Sequence, residues 1–197
     1  MVTKFISLGT GILIAVSAMA QVASANGPSA QETQVGQSIA DIFRSASGAD
    51  IAFVASGFLS VSKDTKDLAS SFQFPTDELW LVTLTGKQLN EAFEKSISFY
   101  PESSPDMLFL SGTEVTFQTA RASRPKILSA NVAGTNLDPA KTYTVSMPAS
   151  LARGGLCYYS VWNFTKPEKV ISPSIEKLLK GKSVQTSTLR WLSHQSL

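Results

Sequence analysis

The clearest pattern of apolar and polar positions lies in residues 79–100, LWLVTLTGKQLNEAFEKSISFY. Its first six residues form an apolar run rich in β-formers, which is typical of a buried strand. Thr85 then fits a helix N-cap, and Gln88 three residues later completes a capping box. Glu91 and Lys95, one turn apart on the polar face, are predicted to form a weak ion pair. The apolar positions that follow Thr85 recur at helical spacing: Leu89, Ala92, Phe93, Ile97 and Tyr100.

Shorter segments with similar patterns lie on both sides of this unit. Helical spacing begins at Val35 and ends at Gly48, which is a favourable C-cap. Further helices are predicted over residues 64–72 and from Ser172-Pro173 to Gly181. Strands are predicted at residues 50–55, 107–110, 113–118, 126–133 and 143–147, with one helical turn over 148–153. Interleaved helices and strands, antiparallel in the second half, indicate an α+β fold with a mixed β-sheet core and flanking helices.

The N-terminal segment has the features of a secretory signal peptide. Lys4 precedes an apolar stretch over residues 5–16, and small-x-small patterns end at Ala20 and Ala25. The apolar stretch is shorter than the roughly 20 residues that a membrane-spanning helix needs. We therefore predict cleavage after Ala20 or Ala25, a secreted or periplasmic mature chain, and no stable membrane anchor after cleavage.

Composition favours one globular domain in the remainder of the chain. Hydrophobic residues make up 43% of the 197 residues and charged residues only 16%, proportions that suit a folded core. We divide the chain into a signal peptide (1–25), a flexible leader (26–34), one domain (35–182) and a weakly patterned tail (183–197).

Charge and residue counts narrow the function. A net charge of +2 without a Lys/Arg cluster argues against nucleic-acid binding. The single cysteine, Cys157, excludes an internal disulfide framework, and the single histidine, His194, lies near the C-terminus. A His-based metal site is thereby excluded, and neither a metal nor another cofactor is predicted.

Several motifs in order resemble the C-terminal domain of the 5′-nucleotidase family, which includes UDP-sugar hydrolases and 2′,3′-cyclic phosphodiesterases. Residues 84–89, LTGKQL, match that family's "LTGkqL" almost letter for letter. Residues 72–75 resemble its "fPF" turn, 110–112 its "vSG", 137–145 its "ldp.ktYrV" and 151–155 its "LA.GG". The similarity covers about residues 35–182, nearly all of the predicted mature chain.

The resemblance implies a role in recognition rather than in the chemical step. Enzymes of that family combine this domain with an N-terminal metallophosphoesterase domain that binds two metals through Asp, His and Asn side chains. Hydrolysis of a phosphate ester at two metals needs such a ligand cage, and none is encoded in these residues. The resemblance further implies that the C-terminal domain supplies the nucleotide-recognition pocket of these enzymes.

Four recognition positions implied by the resemblance carry altered residues. Ser60 stands where the family's "N.GGIR" loop has an arginine, and Met107 stands where a base-stacking aromatic precedes the "SG" strand. Ser150 replaces the second stacking phenylalanine, and Leu156 replaces the ribose-binding aspartate of "GGDGY". Tyr158 is the one recognition position that matches the family's motif, at the tyrosine of "GGDGY". Phe58 and Phe109 are further candidates for lining a pocket.

Other groups admit both a functional and a structural interpretation. Cys157 has no adjacent histidine to activate it, so a buried, inert thiol is expected. Arg121, Arg124 and Lys126 are interpreted as a solvated hairpin edge rather than an anion patch. His194 is expected on a frayed, exposed end. An aromatic cluster either lines a new pocket or packs in the core: Tyr158, Tyr159, Trp162 and Phe164.

The residues and the resemblance leave three hypotheses open. The first is an exported, stand-alone domain without catalytic activity that serves as a binding or accessory module. The second is the detached substrate-binding domain of a split nucleotide hydrolase that works with a separate metallophosphoesterase chain. The third, a structural protein of the cell envelope, has only the predicted signal and an inert surface in its favour.

Overall fold

The computed structural model describes residues 32–60, 66–120, 123–163 and 165–195. The predicted signal peptide and most of the predicted leader lie outside these residues. Four α-helices are present in the described chain: α1 (Gln34–Ser47), α2 (Gly86–Ser96), α3 (Ala149–Ala152) and α4 (Ile175–Leu179). Nine strands accompany them: β1 (Ile51–Ala55), β2 (Leu79–Thr85), β3 (Leu108–Ser111), β4 (Thr113–Ala120), β5 (Ser123–Val132), β6 (Thr135–Asn136), β7 (Thr142–Pro148), β8 (Lys169–Ser172) and β9 (Trp191–Gln195).

The strands form two sheets, and the predicted α+β fold is confirmed. The first sheet is mixed and has the order β3-β1-β7-β2-β8, in which β1 runs parallel to β7 and antiparallel to β3. The second sheet has the order β6-β5-β4-β9. Because all five residues of β1 are buried, this strand lies at the centre of the hydrophobic core. Within the described ranges, no helix is both long and apolar enough to cross a membrane.

The strand predicted at residues 79–84 and the helix predicted after the Thr85 cap are confirmed, but α2 ends at Ser96, before Ile97 and Tyr100 of the predicted apolar face. The Thr85 side chain accepts a hydrogen bond from the Gln88 backbone N–H, and the Thr85 N–H donates to Gln88 Oε1 at 2.9 Å. Leu89, Ala92 and Phe93 bury the apolar face of α2. The two hydrogen bonds of this capping box pair backbone N–H donors that a helix N-terminus otherwise leaves unpaired.

The predicted Glu91–Lys95 ion pair is wrong. Lys95 Nζ instead lies 2.9 Å from Asp106 Oδ2, while Glu91 is 4.0 Å from the exposed Lys87. A half-buried ammonium gains more from a buried carboxylate than from one that water already screens, so the tertiary partner displaces the local one.

Two other predicted segments differ in the structure. In place of a helix over residues 64–72, the described part contains a 3₁₀ turn at Leu68–Ser71, which the Asp67 side chain caps. Residues 61–65 lie outside the described chain. The final helix is shorter than predicted, because Ser174 is its N-cap and Ser172 belongs to β8.

The C-terminal segment, for which no element is predicted, completes the second sheet. β9 pairs in parallel with β4, from Val115 opposite Trp191 to Thr119 opposite Gln195. The Trp191 ring is fully buried, its indole N–H donates to the Leu108 carbonyl at 2.8 Å, and it meets Phe93 and Phe117 edge to face. His194 is exposed, as expected, but it lies in β9 rather than on a frayed end.

A polar strap, defined as residues 183–190, leads the chain along α1 to β9. The Ser38 hydroxyl and the Gln185 backbone exchange two hydrogen bonds, and Gln34 and Ser187 exchange two more. At its end, Glu32 accepts hydrogen bonds from the backbone N–H groups of residues 190 and 191. These contacts join the first and last parts of the described chain.

Removal of the Trp191 ring tests the role of the C-terminal strand in the core. Trp191→Ala is expected to lower the free energy of unfolding by about 3–5 kcal/mol, because it leaves a cavity and an unpaired Leu108 carbonyl. Denaturant unfolding measures the change, and Leu189→Ala in the exposed part of the strap is the control. A loss below about 0.5 kcal/mol, as at a surface position, would show that β9 does not belong to the cooperative core.

Glu32 gives the stability a specific pH dependence. Burial raises the pKa of Glu32 from 4.5 to about 7, although the backbone N–H groups of Arg190 and Trp191 and the charge of Arg190 act to lower it. The folded state therefore holds this proton more tightly than the unfolded state does. Its contribution to stability is complete below about pH 4.5 and is lost as the pH rises through about 7.

We expect the loss to be about 1–3 kcal/mol, less than the full pKa difference would give because the carboxyl group is partly exposed. Denaturant unfolding between pH 4.5 and 8 measures it. Glu32→Gln removes the titrating carboxyl group, so the free energy of unfolding should vary less with pH. Glu102→Gln, at an exposed turn, should leave the pH dependence as in the wild type. Identical profiles for the wild type and Glu32→Gln would contradict the assignment.

Candidate ligand-recognition site

The loops that carry most of the predicted recognition residues meet at one end of the first sheet. The loop after β1 bonds to the loop before β3: the Ser56 N–H donates to the Met107 carbonyl and the Gly57 N–H to the Pro105 carbonyl, both at 2.8 Å. The chain after β7, through α3 to residue 158, packs against these loops. We call the region formed by residues 56–60, 104–107 and 150–158 the recognition corner.

Ser60 and Phe58 are both engaged within the protein. The Ser60 hydroxyl donates to the Ser70 carbonyl at 3.1 Å, and its N–H donates to the Ser71 carbonyl. Phe58 is buried, with its ring edge to face with Phe72 and Phe74. Both side chains therefore join the loop after β1 to the segment before β2.

Ser150 contacts the turn that contains Gly154 and Gly155. The Ser150 N–H donates to Asp77 Oδ2 at 3.1 Å, and its carbonyl accepts from the Gly155 N–H at 2.9 Å. A Cβ placed at Gly155 would lie 2.7 Å from the Ser150 carbonyl oxygen and 3.6 Å from the Phe58 ring. The glycine therefore allows this turn to pack against both groups.

Leu156 and Cys157 both have left-handed backbone conformations, with φ of 53° and 63°. Leu156 is half-buried and packs on the loop after β1, since a Cβ placed at Gly57 would lie 3.2 Å from its Cδ2 atom. The next residue, Cys157, is exposed, so the prediction of a buried thiol is wrong. Two consecutive left-handed residues reverse the chain, and the cysteine lies on the outer side of this turn.

Tyr158 is a core residue in this structure. Its ring is fully buried and stacks on Trp162 with centroids 4.6 Å apart, and Trp162 in turn stacks on Phe53 of β1. The Tyr158 hydroxyl donates to the Asp106 carbonyl at 2.7 Å. Burial and the nearby Asp106 charge raise the pKa of Tyr158 well above its ordinary value, so the hydroxyl stays protonated and keeps this bond.

An ion pair that sequence patterns do not indicate lies beside Tyr158. Asp106 is buried, accepts a hydrogen bond from Ser104 and pairs with Lys95, whose ammonium lies 5.2 Å from the centre of the Tyr158 ring. The segment between Lys95 and Asp106 forms no regular element that would predict the contact. Both charges are thereby engaged within the protein.

Met107 and Phe109 are buried on different parts of the fold. Met107 lies immediately before β3, within the recognition corner. Phe109 packs beneath α1, where a Cβ placed at Gly36 would lie 2.5 Å from its ring. The structure thus brings Phe58, Ser150, Leu156 and Tyr158 together around the loops at residues 57 and 105–107, whereas Phe109 faces the first helix.

The aromatic cluster divides into buried and exposed members. Tyr158 and Trp162 are buried, whereas Tyr159 is 60% exposed. Phe164 lies outside the described residues. Phe74, which sequence reasoning did not single out for a site, is 48% exposed and contacts Phe58 with ring centroids 5.7 Å apart. Exposed aromatic surface therefore lies at Phe74 and Tyr159, on two segments that both contact the recognition corner.

Charged groups outside the recognition corner bear on two further interpretations in the described residues, metal ligands and an anion patch. Across the described ranges, no group of three or more His, Cys, Asp and Glu side chains is placed to hold a metal ion. Arg124 and Lys126 are exposed on β5, in agreement with a solvated edge, and Arg121 lies outside the described residues. The pair of strands extends further than predicted here, with Ala120 opposite Ser123.

Comparison with known proteins identifies the fold and the family. Residues 13–161 match the sequence model of the 5′-nucleotidase, C-terminal domain. The matched residues begin within the predicted signal peptide and end before β8. A snake venom 5′-nucleotidase from Crotalus adamanteus is 32% identical over 87 residues, which cover 40% of this chain and 15% of the venom protein.

Solved structures extend the likeness to most of the described fold. The 5′-nucleotidase precursor from Thermus thermophilus superposes with a TM-score of 0.65 at 20% identity, covering 82% of this chain and 35% of that one. The NAD nucleotidase of Haemophilus influenzae superposes with a TM-score of 0.63 at 15% identity, covering 84% of this chain and 33% of that one. This chain thus spans about a third of the length of these solved relatives. In homologues the C-terminal domain is normally paired with an N-terminal metallophosphoesterase domain.

Proposed function

Because the chain belongs to the 5′-nucleotidase C-terminal domain family, we propose that it is a binding or accessory module without catalytic activity of its own. The family is tied to nucleotide hydrolysis. In this role the chain keeps the fold of the family's recognition domain, but it neither performs the chemical step nor binds nucleotides in the family's mode.

The observation that carries this proposal is the packed state of the recognition corner. Tyr158, the matching recognition residue, is buried against Trp162 and bonded to Asp106. Ser60 bonds within the protein, and Leu156 packs on the loop after β1. A base stacked on an aromatic ring contributes roughly 1–3 kcal/mol, and a hydrogen bond to a charged group contributes about 1.5–3 kcal/mol.

Substitution of several such groups together removes most of the affinity that a nucleotide would gain in the family's mode. Ser60 in particular cannot replace an arginine, because a hydroxyl lacks the two parallel donors of a guanidinium. An amphiphilic corner with two exposed aromatic rings at its edge remains. This surface suits binding of a ligand or partner other than a nucleotide.

We also propose that the chain is exported. The apolar stretch at residues 5–16 and the small-x-small patterns that end at Ala20 and Ala25 support this. The intact mass of the protein secreted by an expressing cell is the direct check. A mature chain that begins at Gln21 or Asn26 agrees with export, and retention of residues 1–20 contradicts it.

Titration with nucleotides tests the loss of the pocket. AMP, adenosine and UDP-glucose are expected to give no saturable rise in melting temperature at millimolar concentration, because a ligand stabilises the fold only when it exceeds its Kd. A two-domain 5′-nucleotidase serves as the positive control. Saturable stabilisation by AMP or adenosine would contradict the proposal.

The variant Tyr158→Phe separates structure from recognition in the same titration. It should lower the free energy of unfolding by about 1–2 kcal/mol, since the Asp106 carbonyl loses its partner. Its response to nucleotides should stay equal to that of the wild type. A nucleotide response that is present in the wild type and absent in the variant would place Tyr158 in a working pocket.

A second candidate is the substrate-binding part of a split nucleotide hydrolase that works with a separate metallophosphoesterase chain. The exposed rings of Phe74 and Tyr159 beside the recognition corner favour it, because exposed aromatic groups are enriched at protein interfaces.

Mixing experiments distinguish this second candidate from the first. A metallophosphoesterase chain from the same organism should co-purify with the protein and gain nucleotidase activity on mixing. Phe74→Ser and Tyr159→Ser should each weaken the complex about tenfold, as expected for aromatic anchors at an interface. Phe99→Ser, at another exposed ring, is the control. Absence of both complex and activity would exclude the split enzyme.

A further inference from the structure

A concave site lies at the end of the first sheet opposite the recognition corner. It has a volume of about 350 Å³, and its lining includes Arg44, Gly112, Asn131 and Arg190. The recognition corner follows the last residue of β1, whereas Gly112 packs against Asp50, immediately before the first residue of β1. The first and last Cα atoms of this five-residue strand are about 13 Å apart. We call this site the arginine pocket.

Arg44 is held at one side of the arginine pocket by the turn between β3 and β4. It lies in the last turn of α1, and its Nε–H donates to the Asp50 carbonyl at 3.0 Å. A Cβ placed at Gly112 would lie 2.5 Å from Arg44 Nε and 2.1 Å from the Asp50 carbonyl oxygen, so a glycine there leaves room for the guanidinium. Gly112 also has φ of 81°, a backbone conformation that L side chains rarely adopt.

The terminal nitrogens of Arg44 are available to a ligand. Within the described ranges, neither of them makes a hydrogen bond to the protein, and no carboxylate lies within 4.0 Å of Arg44. A guanidinium presents five N–H donors in a planar fork that matches the oxygens of a carboxylate or phosphate. The donors on the two terminal nitrogens remain for such a group.

Arg190 contributes a second cation with unused hydrogen-bonding capacity. One terminal nitrogen donates to the Thr188 hydroxyl, and the other lies 3.7 Å from Asp41 Oδ1, a loose ion pair. Its Nε atom is buried and has no hydrogen-bond partner among the described residues. Because buried donors are almost always paired in folded proteins, an unpaired donor beside a concave site indicates a missing acceptor.

The remaining charges define what the arginine pocket accepts. Glu114 is exposed on its lining, and Asp41 is the partner of Arg190 and of the Ser187 hydroxyl. Arg44 is therefore the cation of this lining that has no carboxylate partner in the described chain, and the unpaired Arg190 Nε adds a donor. An acceptor with several negatively charged oxygens fits both groups, whereas a cation fits neither.

We propose that the arginine pocket binds a small oxyanion, a carboxylate or a phosphate group, between the guanidinium groups of Arg44 and Arg190. The volume suffices for a small molecule that carries such a group. This site is separate from the recognition corner and stands whether or not nucleotides bind there. It also gives the accessory module a ligand chemistry that does not depend on the altered recognition residues.

Isothermal titration with inorganic phosphate and with malonate, at constant ionic strength, tests the proposal on the whole predicted mature chain. Saturable binding of phosphate alone, of malonate alone or of both supports it and identifies the oxyanion class. Absence of saturable binding by either anion overturns it.

Variants identify the residues responsible. Arg44→Gln and Arg190→Gln should each raise the Kd about tenfold or more, the effect of losing one charge-assisted hydrogen bond. Arg44→Lys keeps the charge and should give a smaller rise. Arg124→Gln, an exposed arginine at the other end of β5, should leave the Kd unchanged. An equal effect of Arg124→Gln would show non-specific attraction and overturn the proposal.

Glu114→Gln provides a readout that does not depend on the arginine variants folding. Removal of a negative charge from the lining should lower the Kd for either anion about two- to fivefold, because like charges repel across the pocket. An unchanged or raised Kd in a folded Glu114→Gln protein contradicts an oxyanion bound there.

Discussion

The stack of Tyr158 on Trp162 and of Trp162 on Phe53 holds the recognition corner to the core. Phe53 belongs to the buried strand β1, so the three rings connect that strand to the turn after Gly154 and Gly155. Each polar atom of the stack has a partner: the Tyr158 hydroxyl bonds to the Asp106 carbonyl and the Trp162 indole N–H to the Leu151 carbonyl. Buried aromatic rings with satisfied polar ends are stabilising without leaving space for a ligand.

The recognition corner is held together by contacts of the chain with itself. The fold depends on backbone hydrogen bonds between loops, on the stack and on the buried Lys95–Asp106 pair. None of these contacts involves the side chains of residues 60, 150 and 156. Each of these three residues nevertheless contacts another part of the chain: Ser60 at Ser70, Ser150 at Asp77 and Leu156 at Gly57.

Sequence patterns predicted the parts of the fold whose cause is local. The capping box at Thr85 and Gln88 and the glycine that ends α1 need only neighbouring residues, and both are present. The strand that begins at Trp191 was missed, because five residues paired in parallel with a distant strand carry little local signal. The burial of Cys157 was predicted wrongly, since its left-handed conformation depends on a turn that the sequence does not specify.

The candidate sites likewise depend on contacts between residues far apart in the sequence. Resemblance located the recognition corner and the substituted residues, but the groups that contact them come from segments distant in the sequence. The arginine pocket was missed altogether, because residues 44 and 190 approach only when the strap has docked along α1. Pairs so far apart in sequence have no periodicity that a reader of the sequence could detect.

The contact between Glu32 and residues 190 and 191 has a consequence for the order in which the molecule folds. Trp191 fills a core that Phe93 and Phe117 otherwise leave open, and its indole N–H pairs with the Leu108 carbonyl, 83 residues away in sequence. Contacts so distant in sequence form slowly, so the core around these rings closes late in folding. Until it closes, the partly folded chain exposes apolar surface, which makes it prone to aggregate.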